Sequence, residues 1–122
     1  MLYLVMPWVV EFFDAFEAEF DAFPEEVQDA ILAKTHLLER EGPQLGRPHA
    51  DTLKGSRHAN MKELRCAAGD GVWRVAFAFD PDRKAILLAA GDKSGGSEKR
   101  FYRRLIATAD ERFDRHLAKR KG

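Results

Sequence analysis

The chain has 122 residues, the size of one ordinary domain, and its 45% hydrophobic content suffices for a packed interior. A charged content of 33% excludes a chain built mainly for the bilayer, and a single cysteine excludes an internal disulfide and fits a reducing, cytoplasmic setting. The formal charge sums to zero, yet residues 1–33 carry eight acids and no Lys or Arg, so the remainder holds all twenty basic groups against twelve acids. Such asymmetry suits a polyanionic partner for the basic part, or two solvated faces of opposite bias.

One domain is expected over 1–122, with 1–7 as an N-terminal extension and 119–122 as a basic tail. The apolar run Met1 to Val10 is too short to span a bilayer and contains Pro7; it lacks the basic start and cleavage site of a secretory signal. Trp8-Val9-Val10-Glu11-Phe12 is aromatic and β-branched, which predicts a short first strand. Phe13, Phe16, Phe20 and Phe23 recur at helical steps, so a first helix buries this stripe. Pro24, followed by Glu25 and Glu26, opens a second helix, and Gly42-Pro43 closes it. The pair forms a helical hairpin.

Gln44 to Asn60 has one proline, two glycines and no periodicity, which predicts an ordered loop. Strands are expected at Met61–Cys66, Val72–Phe79 and Lys84–Gly91, joined by connections short enough for antiparallel hairpins. A final helix from about Glu98 to Lys119 carries Tyr102, Leu105, Ile106, Ala109, Phe113 and Leu117 on one side. The fold class is α+β, in the order β-α-α-β-β-β-α, with a twisted, mostly antiparallel four-stranded sheet.

Within this frame Lys54, Arg57, His58, Lys62 and Arg65 crowd the junction of the loop and the second strand. Guanidinium and ammonium groups so clustered suit phosphate oxygens, and the segment points toward RNA. Strand alternation puts Leu64 and Cys66 on one face with Trp73, Val75, Phe77 and Phe79. The other face receives Arg65 and Arg74 beside small alanines, with Lys93 near it if the alternation survives Gly91. This reads as a shallow cationic groove. The alternative is that the arginines pair with Glu63 or lay their stems over a helix.

The run Leu45-Gly46-Arg47-Pro48, then Asp51 to Arg65 (DTLKGSRHANMKELR), resembles the HigB-like toxins of the RelE/ParE superfamily. Arg74-Val75-Ala76-Phe77-Ala78-Phe79-Asp80-Pro81, Ile86 to Gly95, Phe101-Tyr102 and Ala109 to Phe113 continue the likeness, which covers about Trp8 to Leu117. The resemblance implies a small RelE-like sheet with a helical hairpin. It also implies the toxin of a type II toxin–antitoxin module, an endoribonuclease cutting mRNA on translating ribosomes, with a helix-turn-helix antitoxin as partner. The chemistry it implies is metal-independent: the 2′-hydroxyl attacks the adjacent phosphate, leaving a 2′,3′-cyclic phosphate and a 5′-hydroxyl. Arg65, Arg74 and Lys93 are the expected catalytic cations and His58 a candidate acid–base group, while Lys54, Arg57, Lys62 and Tyr102 are expected to hold RNA. The general base stays open between His58, Glu63 and neither. A ParE-like gyrase inhibitor or a non-catalytic RNA- or antitoxin-binding relative are the alternative functions.

No cofactor, metal or membrane partner is expected, and the sequence leaves the oligomeric state open. His36, His49 and His116 are scattered without a second ligand at metal spacing. Gly91-Asp92-Lys93-Ser94-Gly95-Gly96 lacks the order of a phosphate loop, and Cys66 falls on an apolar strand face.

Overall fold

Residues 7–121 are described by a computed structural model. Among them the elements run β1 (Val9–Phe12), α1 (Asp14–Asp21), α2 (Glu25–Glu41), β2 (Ala50–Thr52), β3 (Lys62–Ala68), β4 (Gly71–Phe79), β5 (Lys84–Asp92) and α3 (Glu98–Lys121). Of the segment expected as an N-terminal extension, residues 1–6 lie outside this range. So does Gly122, while Lys119 to Lys121 of the expected basic tail continue α3.

The sheet is five-stranded, in spatial order β1-β5-β4-β3-β2; β1 pairs with β5 in parallel, and the other pairs are antiparallel. It therefore has one strand more than the four expected, and the order becomes β-α-α-β-β-β-β-α. The additional strand, β2, lies inside the segment 44–60 read as a loop and pairs Ala50 with Leu64 and Thr52 with Lys62. Three residues carry no visible period; the partner strand supplies their structure through the ladder hydrogen bonds.

Side chains partition across the sheet by the two-residue period. On one face Leu64, Cys66, Val75, Phe77, Ala85 and Leu87 pack against Phe16 and Phe20 of α1 and Val27, Ile31 and Leu38 of α2. The phenylalanine stripe is core: Phe16 is fully buried and touches Phe12, Phe20 and Phe23 at ring-centroid distances of 5.6–6.3 Å. Burial in this layer pushes the Cys66 thiol up to about 11. Helix α2 ends at Gly42, whose φ of 61° and contact with the Trp8 indole leave no room for a Cβ.

On the opposite face Ala76, Ala78, Ile86, Leu88 and Ala89 pack against Leu105, Ala109 and Phe113 of α3. The cationic face expected to be an open groove is thus mostly roofed by a helix. The alanines are small because a helix lies on them. The end near the β3–β4 hairpin, where α3 begins, leaves polar side chains room.

A bulge decides what reaches that end. Ala76 pairs with Ala89 but Phe77 pairs with Leu87, so Leu88 is an extra residue in β5. Ala85 and Leu87 face the hairpin, whereas Ala89 and Gly91 face α3; the single alternating run expected through Ala85, Leu87, Ala89, Gly91 and Lys93 is broken there. Without the bulge, Gly91 would sit on the hairpin side, away from Arg74.

Candidate functional site

Arg65 and Arg74 are direct cross-strand partners, and Arg74 in turn lies beside Gly91, which gives one row across β3, β4 and β5. The row below it is Glu63, Ala76 and Ala89. Glu63 and Arg74 are both buried, at 5% and 7% exposure, while Arg65 is half-buried. Glu63 is the hub: its Oε1 accepts a hydrogen bond of 2.8 Å from the Tyr102 hydroxyl of α3. Arg74 Nε stands 3.7 Å from Oε1 and Arg65 Nε 3.9 Å from Oε2. These separations are electrostatic contacts, too long for hydrogen bonds.

Both arginine Nε–H groups are consequently buried without a hydrogen-bond partner. Arg74 donates from one terminal nitrogen to the Trp73 carbonyl, at 3.0 Å. An unsatisfied buried donor costs about 1–3 kcal/mol, so two side by side, with one carboxylate between two guanidinium groups, describe a site with spare donors and surplus positive charge. That is what a dianionic or phosphorane oxygen needs. Burial, and then the bond to Glu63, raises the Tyr102 pKa above the ordinary phenol value, so the hydroxyl remains a proton-bearing donor at neutral pH.

Lys93 reaches the same end. Its ammonium lies 5.9 Å from the centre of the Tyr102 ring and pairs with Glu98 at 3.0 Å. Asp92 holds the adjoining turn by accepting from the backbone N–H groups of Val72 and Ser94 and from the Ser94 hydroxyl, which also keeps its carboxyl below the usual range. The structure therefore brings together four of the expected residues: Arg65, Arg74, Lys93 and Tyr102.

The other four are elsewhere. His58 Nε2 lies 2.7 Å from Asp114 Oδ1 of α3, with its ring edge-on to Phe113. Asn60, two residues along that loop, donates to the Phe79 carbonyl at 2.7 Å, which puts His58 at the far end of β4 from Arg74. Five residues of strand at roughly 3.3 Å each separate the two ends. Arg57 pairs with Asp114 and stands 3.9 Å from Asp110. Lys62 points to the hairpin face and donates to the Pro43 carbonyl at 3.0 Å. Lys54 is exposed on the turn, without a charged partner among the described residues.

The cause is Asp110. It is buried, accepts from the Ser56 hydroxyl and the Arg57 backbone N–H, and with Asp114 fastens the whole basic loop to α3. The sequence carries a signal for this: Asp110 sits next to Ala109 on the apolar stripe of α3, where a lone carboxylate requires a donor from another element. A second residue not singled out is Phe101, which lies so close to Gly91 that a Cβ there would be 2.9 Å from the ring.

A hollow of about 640 Å³ lies away from this site, between β1, the β4–β5 turn and the end of α3. Its charges are largely matched within it: Lys84 with Glu11, Arg120 with Asp82, and His116 with Asp80. Among the described residues no group of three or more His, Cys, Asp or Glu is placed to hold a metal ion, and no helix is long and apolar enough to cross a membrane.

With this geometry in hand, comparisons place the chain among known proteins. The family described as Phage derived protein Gp49-like (DUF891) matches residues 18–114. A Mycobacterium tuberculosis protein bearing the toxin name HigB2 is 50% identical over 94 residues, 76% of this chain and 46% of HigB2. Another from that organism, with the toxin name HigB3, is 45% identical over 106 residues, 87% of this chain and 90% of HigB3. The chain thus spans about half the length of the first and nearly all of the second.

Two solved structures share the fold. One is a double arginine-to-alanine mutant of the Escherichia coli toxin RelE in the free state, with a TM-score of 0.57 at 11% identity, covering 84% of this chain and 96% of that one. The other is the archaeal RelE–RelB complex from Pyrococcus horikoshii, with a TM-score of 0.54 at 17% identity, covering 75% and 100%. The matched span and the identities put the chain in the Gp49-like family, alongside the HigB-named proteins, and its fold is that of RelE.

Proposed function

We propose that the protein is the toxin of a type II toxin–antitoxin module and cleaves ribosome-engaged mRNA through a metal-independent attack of the 2′-hydroxyl on the adjacent phosphate. The observation that carries this reading is the row of Arg65 and Arg74, with unpartnered Nε–H groups, set against Glu63 and the Tyr102 hydroxyl. Arg65 and Arg74 hold the scissile phosphate and stabilise the charge that grows on its equatorial oxygens. Tyr102, protonated at neutral pH, gives its hydroxyl proton to the leaving 5′-oxygen while the Glu63 carboxylate beside it takes the proton of the attacking 2′-hydroxyl. The Glu63–Tyr102 hydrogen bond then returns that proton to the phenol. Glu63 positions both arginines, and Lys93 adds a cation at the rim. His58 is a loop anchor in this reading, since Asp114 and Phe113 hold it at the other end of β4.

A partner antitoxin follows from the module, as RelE is seen with RelB in the archaeal complex. The test is expression with and without Arg65→Ala. Growth arrest is expected with cuts in mRNA only when ribosomes are present, unaffected by chelator, and the variant should lose about 10²–10³-fold in rate. Intact transcripts with blocked DNA supercoiling would instead assign a gyrase inhibitor, and full activity of Arg65→Ala would remove the row from the chemistry.

A further inference from the structure

Beside the arginine row, on the outer side of Phe101, the sheet edge holds a second hollow of about 340 Å³. Its floor is Ala89 and Ala90 of β5, its walls are the rings of Phe23 and Phe101, and Arg104 and Thr108 of α3 stand at the rim. That volume is at the small end of the roughly 300–1,000 Å³ of ligand sites and fits one flat ring system. Glu19, the acid on this hollow, is neutralised: Arg112 grips it through both carboxylate oxygens at 2.6 and 2.9 Å and donates to the Leu88 carbonyl.

Arg104 differs from Arg112 in having no hydrogen-bonding or charged partner among the described residues. The same holds for the side chains of Lys99, Arg100 and Arg103, all exposed on the first turns of α3. Of these four cations in six residues, Arg104 lines the hollow beside its two aromatic rings, and the other three stand exposed on the same turns of α3. The hollow adjoins Arg74 through Gly91, against which Phe101 packs. A cationic track with aromatic faces is how single-stranded nucleic acid is held, bases stacked and phosphates paired.

Resting on the RNA reading above, we propose that this hollow is a nucleotide subsite: it takes the base next to the scissile phosphate between Phe23 and Phe101, with Arg104 on the adjoining phosphate. The grip on RNA thereby falls to the start of α3 rather than to Arg57 and Lys62, whose charges the fold already engages. The close approach of Phe101 to β5 makes Gly91 part of the subsite, because a side chain there would push the ring into the hollow.

A built-in reporter exists, since Trp73 lies 5.0 Å, centroid to centroid, from Phe23, whereas Trp8 packs on Phe79 at the other end of β4. The probe is a short 2′-O-methyl RNA oligonucleotide, which has no free 2′-hydroxyl and cannot be cut, titrated into the full chain alone and on programmed ribosomes. It should quench Trp73. Arg104→Glu and Phe101→Leu, the latter keeping apolar bulk but losing the ring face, should each weaken binding about tenfold or more. Arg104→Glu should also flatten the salt dependence by about 0.7 in log–log slope.

Wild-type affinity in both variants, alongside weakened binding by Arg65→Ala, would overturn the subsite and leave the RNA reading standing. No binding by the wild-type chain in either setting would overturn both. A poly-glutamate peptide that binds where the oligonucleotide does not, and is lost in the same two variants, would assign the surface to an acidic protein segment and overturn the subsite as well.

Discussion

Arg65 and Arg74 are equivalent in sequence pattern but not in surroundings. Arg74 is enclosed between strands with Glu63, whereas the Arg65 side chain is 28% exposed. Removing one member of a buried ion pair leaves the other charge uncompensated, at about 3–5 kcal/mol, while a partly solvated pair at 3.9 Å contributes about 1 kcal/mol or less. Arg74→Ala is therefore expected to destabilise the fold severely, and Arg65→Ala only slightly. Glu63→Gln added to Arg74→Ala should restore most of the stability, because the neutral amide still accepts from Tyr102 and no longer needs a cation. Neither the single nor the double variant should cleave RNA. Denaturant unfolding of the wild type, Glu63→Gln, Arg74→Ala and the double variant closes the cycle, with Arg65→Ala measured beside them. Equal losses for Arg65→Ala and Arg74→Ala would mean that Glu63 does not couple to burial as described.

At the scale of elements, the periodic ones were legible and the site's assembly was only half so. The phenylalanine stripe, the Pro24 and Gly42 boundaries and the three long strands follow from local spacing. The three-residue β2 was not legible, because its conformation belongs to its ladder with β3 rather than to its own side chains. Arg65 opposite Arg74 was readable from alternation, since the β3–β4 hairpin has no irregularity. The bulge at Leu88 was not, as nothing in Ile86-Leu87-Leu88-Ala89-Ala90 marks which residue is extra. The displacement of His58 was legible only in part: Asp110 on the apolar stripe of α3 calls for a donor, but nothing local shows that Ser56 and Arg57, more than fifty positions away, supply it. The bulge makes a sharp test. Deleting Leu88 would restore strict alternation and turn Ala89, Gly91 and Lys93 through the sheet, a one-residue slip that inverts faces. Loss of cooperative unfolding, or a stable fold without RNA cleavage, is expected by calorimetry and transcript assay. Deleting Ala67, near the β3–β4 turn and outside the row, should cost less.

Over the whole molecule the acidic N-terminal part is tied to the basic remainder through Glu19, and acids of the remainder itself hold the same helix that frames the site. Glu19 of α1 binds Arg112, Asp82 of the β4–β5 turn binds Arg120, and Asp114 of α3 binds Arg57 and His58 of the loop. In each case the hydrogen-bonded cation, Arg112, Arg120 or Arg57 first and His58 second, holds the carboxyl below its ordinary range. A carboxyl depressed in the folded state stabilises that state fully above its unfolded pKa, near 4, and loses the contribution as pH falls through the depressed value. All three ties connect α3 to the rest of the chain, so acid should act on this helix before it acts on β3, β4 and β5, whose core is apolar. The ties are mostly solvent-exposed and salt weakens them, which makes the effect strongest at low ionic strength. Hydrogen exchange at about pH 3, compared with pH 7 after correction for intrinsic rates, should show α3 losing protection while the sheet keeps it. Glu19→Gln should shrink the difference between the two pH values, since the variant has no charge at that position to lose. Equal protection of α3 at both would mean that apolar packing of Leu105, Ala109 and Phe113 alone keeps the helix in place, and that Glu19, Asp82 and Asp114 serve solubility rather than the site.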